Sequence, residues 1–108
     1  MAPTLTTSGT QTATITTEHT LTTQTGTKFY CAYIDLTNMT SGDTTEIRVS
    51  LIVKSAGSHI LYFMGTYSGA QSNPLLFIPA LPSDISWKLT LKQTVGTGRS
   101  YDWRILEV

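Results

Sequence analysis

The chain has 108 residues, seven basic and seven acidic side chains, and no net charge. That length suits one domain with its own core, and a lone Cys31 excludes an intramolecular disulfide framework. Zero net charge argues against a protein that grips nucleic acid through a basic face. No apolar run approaches the ~18 residues that span a bilayer, and Met1-Ala2-Pro3-Thr4 lacks the basic and apolar segments of a secretory signal. The expectation is therefore a chain with no secretion signal or transmembrane segment, no membrane partner and no specific nucleic-acid partner.

Threonine fills the place of charge. Twenty-one residues are Thr, thirteen of them among the first 27, while only 13% of the chain is charged, about half the usual fraction. Thr is β-branched and suits a pleated, half-exposed surface.

Residues 1–11 have few apolar side chains and no period, so they read as a Thr-rich arm, flexible or extended. Residues 12–108 read as the single domain. Ala13 to Thr16 and Leu21 to Thr23 are short first strands, and Gln24 to Thr27 is a turn. Lys28 to Leu36 places Tyr30, Ala32, Ile34 and Leu36 on one face and Phe29, Cys31 and Tyr33 on the other. Thr44 to Lys54 alternates cleanly, with Ile47, Val49, Leu51 and Val53 inward and Glu46, Arg48, Ser50 and Lys54 outward. Ser55 to Ser58 links it to His59–Tyr67 as a hairpin. That strand is apolar on both faces, Ile60, Tyr62 and Met64 against Leu61, Phe63 and Tyr67. Leu75 to Ile78 is a short run closed by Pro79-Ala80-Leu81-Pro82. Ile85 to Lys92 alternates again, with Trp87, Leu89 and Leu91 inward. Gly96 and Gly98 mark a turn before Tyr101 to Val108, where Tyr101, Trp103 and Ile105 share a side.

About eight short strands with regular turn signals and no helical period imply an all-β fold: an antiparallel β-sandwich of jelly-roll type with no substantial helix. The core candidates are Ile34, Ile47, Val49, Leu51, Val53, Trp87, Leu89, Leu91, Trp103 and Ile105.

Chemistry is harder to find. There are two histidines, His19 and His59, and no Gly-x-Ser-x-Gly elbow; a strand-edge role explains His59 better than a triad. The acids are scattered, with no pair proposed for glycoside hydrolysis. Asp43 beside Ser41 is a weaker calcium candidate than a turn cap. Cys31 sits mid-strand without a nearby base and reads as a buried apolar residue. Gly96-Thr97-Gly98-Arg99-Ser100 is a hairpin turn and not a phosphate loop, because a strand pattern follows it. No catalytic residue, cofactor or metal is assigned, and an enzyme is not expected.

Two strands that are apolar on both faces need cover, because a two-layer sandwich buries only one face of each sheet. A loop, the arm or another protein would supply it. A subunit interface is the sharper reading, with Phe29, Tyr33, Leu61, Phe63, Tyr67 and Arg99 as its candidates. The Thr-rich arm is either a plain tail or a segment that crosses a neighbour by strand addition.

Several segments then resemble a family. These are Thr17-Glu18-His19-Thr20-Leu21, Asp35-Leu36-Thr37-Asn38-Met39, Gly42-Asp43-Thr44, and Leu91-Lys92-Gln93-Thr94-Val95-Gly96-Thr97-Gly98-Arg99-Ser100-Tyr101-Asp102-Trp103. Together they are similar to small virion structural proteins of tailed bacteriophages, over about residues 17–106. The resemblance implies a compact β-fold attached to the virion head, a capsid decoration or cement protein. Its partners would be copies of itself and a major capsid protein. It carries over no catalytic residue. A carbohydrate- or receptor-binding β-sandwich is the alternative, with Tyr67, Tyr101 and Trp103 as its aromatic residues, although the alternation turns Trp103 and Trp87 toward the core.

Overall fold

A computed structural model describes residues 3–108. They form eight strands: β1 (Thr4–Thr12), β2 (Glu18–Thr25), β3 (Lys28–Asp35), β4 (Thr44–Ile52), β5 (Ile60–Ser68), β6 (Leu75–Ser83), β7 (Ser86–Val95) and β8 (Ser100–Glu107). One sheet has the order β1-β8-β3-β6 and the other β2-β7-β4-β5. All pairings are antiparallel. β1 pairs with β8, β2 with β7, β3 with β6 and β4 with β5, as in one long hairpin. Rolling that hairpin adds the β3–β8 and β4–β7 contacts. This is the jelly-roll arrangement, and no helix occurs among the described residues.

The core lies between the sheets and follows the period of 2. Tyr30, Ala32 and Ile34 from β3, Ile47 and Val49 from β4, Trp87, Leu89 and Leu91 from β7, and Tyr101 and Ile105 from β8 are buried. Tyr30 and Trp87 meet across the layers with ring centroids 5.8 Å apart. Each buried Val, Leu or Ile among them contributes about 1.5–3 kcal/mol by leaving water. Seven of the core candidates, Ile34, Ile47, Val49, Trp87, Leu89, Leu91 and Ile105, are fully buried. Leu51 and Trp103 are half-buried and pack against the same cluster. Trp103 lies over Gly9, where a Cβ would come within 2.9 Å of its ring.

Val53 is a correction. It is 76% exposed because β4 ends at Ile52; the alternation of side chains runs on past the last ladder residue into the loop.

The segment read as an arm is β1. Thr4–Thr12 pairs along its length with β8, although none of its side chains is fully buried. Main-chain bonds hold it, aided by hydroxyl contacts such as Thr10 Oγ1 to Asp102 Oδ1 at 2.6 Å and Thr12 to Ser100 at 3.0 Å. Ala13 to Thr16, read as a first strand, is instead the connection from β1 to β2. Its bend places Thr16 at a positive φ of 66°. β6 continues through Pro79 and Pro82 to Ser83. It tolerates both prolines because it is an edge strand, bonded to β3 alone.

Candidate functional site

The two sheets share a flank on which their edge strands β5 and β6 lie unpaired. Exposed large apolar side chains concentrate there: Ile60, Leu61, Tyr62 and Met64 on β5, and Leu75 and Phe77 on β6. Between the two edges runs an apolar groove of about 220 Å³, walled by Tyr62, Phe63, Phe77, Ile78, Pro79 and Leu81. Phe77 also faces the outer side of its sheet, where it meets Tyr33 with ring centroids 5.3 Å apart. The apolar surface therefore turns the corner from the β3–β6 face onto the β5 edge.

The interface candidates divide. Phe29 is 51% exposed and Tyr33 38%, both on the outer face of β3, opposite Tyr30, Ala32 and Ile34. Leu61 is 50% exposed. Tyr67 is a correction, half-buried and packed against the core; Phe63 is half-buried against the same core and also walls the groove. In an apolar strand the period cannot say which face is inward, and the ladder decides it. Phe63 pairs with buried Val49 and Tyr67 with buried Thr45, so they share the inward side. The Tyr67 ring lies over Gly65, where a Cβ would come within 2.6 Å of its hydroxyl. A bulge opposite Val49 and Ser50 leaves Tyr62 as the extra residue, which shifts the phase and turns Leu61 outward beside Ser50. Ile60, Tyr62, Met64, Leu75 and Phe77 are the flank residues missed among the interface candidates. The signal available for them was Pro79 and Pro82, which mark an edge.

Arg99 is the third correction, for it is a clasp and not a free anchor. Its Nε donates to Asp43 Oδ2 at 2.8 Å and its Nη2 to Thr40 Oγ1 at 2.8 Å. Asp43 is buried and also accepts from the backbone N–H groups of Thr40 at 2.9 Å and Thr97 at 3.2 Å. The Thr40 N–H leads in holding its carboxyl below the ordinary carboxylate range, with Arg99 and Thr97 adding to it against the effect of burial. Gln93, also buried, joins the turn to the core. Its amide donates to the Thr97 carbonyl at 2.8 Å and accepts from the Arg99 N–H at 3.1 Å and the Tyr101 hydroxyl at 2.9 Å. Gly96 has φ +97°, and a Cβ there would collide with Asp43 Oδ1.

The remaining polar residues are also tied into the fold. His59 Nε2 lies 2.9 Å from Ser86 Oγ, and burial followed by the Lys88 charge lowers its pKa. Among the described residues no carboxylate bonds its other ring nitrogen; the contact fastens the β4–β5 loop to the start of β7. His19 Nε2 accepts from the Thr14 N–H at 3.1 Å. Cys31 is buried, which pushes its thiol pKa up. No group of three or more metal-ligating side chains occurs among the described residues.

The outer faces differ in character. On the β2-β7-β4-β5 sheet, Arg48 pairs with Glu46 at 3.0 Å and Glu18 at 3.7 Å, and exposed large apolar side chains lie on β5 and at Val95, the end of β7. On the other sheet a shallow depression of about 380 Å³ lies over Tyr33, Asp35, Leu75, Asp102 and Arg104. Scans against protein-family models, curated proteins and solved structures find no match to this chain.

Proposed function

We propose that the chain is a non-enzymatic structural subunit that docks onto a larger assembly through its β3–β6 face and flank. In the setting its sequence resembles, that assembly is a phage head and the chain is a decoration or cement protein. The observation that carries this reading is the apolar surface from Tyr33 through Phe77 to the β5 edge, with exposed Phe29 further along β3. Soluble monomers seldom leave such a surface uncovered. A neutral, Thr-coated remainder suits copies packed side by side, because it stays hydrated without mutual charge repulsion. Repetition over a lattice turns modest contacts into high avidity. The jelly roll itself is shared by capsid and lectin domains, so it supports this reading only by analogy.

The test is co-sedimentation with emptied heads of the encoding virus. The wild-type chain is expected to pellet with the heads, and a Tyr33→Ser/Phe77→Ser variant to stay in the supernatant while still unfolding in one cooperative transition. A wild-type chain that never pellets overturns the reading.

A carbohydrate-binding module is the second reading, favoured by the depression. Tyr33 offers an aromatic face, Asp35 and Asp102 offer acceptors, and Arg104 makes no ion pair among the described residues. Tyr67 and Tyr101 do not serve it, since Tyr101 is fully buried and Tyr67 packs against the core; Trp103 packs against the core and also lines the depression. Binding on a glycan array that is lost in Tyr33→Ala supports this module, and an array without signal removes it.

A further inference from the structure

We infer that two copies join through their β5 edges, antiparallel about a two-fold axis, into one continuous eight-stranded sheet. This rests on the reading of the chain as an assembly subunit and specifies its first assembly step.

The argument begins with the edge. β5 bonds only to β4, so one side of its nine-residue backbone has no strand beside it. Proteins normally guard such edges with proline, with lysine or other charge, or with cover. β6, the adjacent edge, carries Pro79 and Pro82. β5 reads Ile-Leu-Tyr-Phe-Met-Gly-Thr-Tyr-Ser, with neither proline nor charge. Its one guarding feature is the bulge at Tyr62, which leaves Phe63–Ser68 in regular pairing with β4. Two copies of this segment therefore meet without like-charge repulsion and without a missing donor.

A second copy is the occupant that fits. A two-fold axis normal to the sheet sets outward side chains beside outward ones, so opposed residues differ by an even number. For an axis at Met64, Gly65 or Thr66, Met64 and Thr66 of one copy meet the same pair of the other, or its neighbours Tyr62 and Ser68. The contact is isologous and closes at two copies. It also covers the groove behind the edge, whose walls include Tyr62, Phe63 and Phe77. Ile60 is 60% exposed, Leu61 50%, Tyr62 62% and Met64 50%. Edge pairing and cover of the groove remove part of this area in both copies, with the joined backbone, on the order of 1,000 Å² at most, the size of a weak, concentration-dependent contact.

The experiment is sedimentation equilibrium of the full-length chain across a concentration series. A species of twice the 11.8 kDa chain mass is expected. The Met64→Lys/Thr66→Lys and Met64→Glu/Thr66→Glu variants change only exposed side chains. Each alone is expected to be folded and monomeric, and an equal mixture of the two to return to the dimer mass. That rescue excludes misfolding as the cause of the loss. A wild-type monomer at every concentration overturns the inference, as does a dimer that both double variants leave intact. Head binding is scored separately: a monomer that still pellets with heads removes the β5 pairing and leaves the assembly reading standing. A dimer that ignores heads does the reverse.

Discussion

Asp43 governs the turn end of the sandwich. Its carboxylate gathers the Thr40 and Thr97 N–H groups and the Arg99 guanidinium around one buried site. Asp43→Asn keeps one acceptor oxygen and removes the charge, so it is expected to cost about 2 kcal/mol, mainly in charged hydrogen bonds. The Arg99 ion pair adds less, because Arg99 is 30% exposed and solvent screens it. Chemical denaturation measures the loss. Asp43 has a lower pKa folded than unfolded, so its contribution is complete above the unfolded value of about 3.9. It is lost as pH falls through the folded value. The acid limb of the stability curve should flatten in Asp43→Asn. His59 also has a lowered folded pKa. Its neutral form contributes fully above the unfolded value of about 6.5, and that contribution fades as pH falls toward the folded value. His59→Asn should therefore change the curve in a higher window than Asp43→Asn does. Two variants that alter the same window would contradict this assignment.

Among the elements, β4 and β7 are legible in sequence, because polar and apolar residues alternate and the apolar set lies on one face, even where β7 also buries Ser86 and Thr90. β3 is legible as a strand, and its exposed Phe29 and Tyr33 lie where the alternation puts them. β5 resists reading: both faces are apolar, and the bulge at Tyr62 is a property of its pairing with β4. β1 resists for the opposite reason, since threonine gives no hydrophobic period and its ladder to β8 consists of main-chain bonds. β6 looks short because proline suggests an end, whereas at an edge it only removes a donor that needs no partner. Arg99 could not be told from a free anchor, since Asp43 lies 56 residues away in the chain. β1 buries no full side chain, so deleting residues 1–12 should leave the rest of the sandwich folded. It should lower the melting temperature and speed amide exchange along β8. Unchanged β8 exchange would show that β1 does not hold that edge.

At the scale of the whole molecule, the sandwich is asymmetric. One outer sheet carries Arg48 paired with Glu46 and Glu18, and the other carries Phe29, Tyr33, Leu75 and Phe77 beside the Lys28–Glu107 pair. These apolar groups meet the β5 edge at Phe77, so two kinds of contact adjoin. In the proposed arrangement the face docks on a lattice while the edge joins a second copy. The two should separate by mutation. Tyr33→Ser/Phe77→Ser should stop head binding yet leave most of the population dimeric. It should lower stability by about 1–2 kcal/mol in all, because the two rings are half-exposed yet pack on each other, and leave the chain folded. Loss of folding in that variant would mean the two rings serve the core.

Cryo-electron microscopy of purified virions from the encoding virus tests the central claim most directly. The account predicts jelly-roll density on the head, with Tyr33 and Phe77 turned against a lattice subunit. Virions without this density, or a bound sandwich whose Tyr33–Phe77 face looks into solvent, would contradict it.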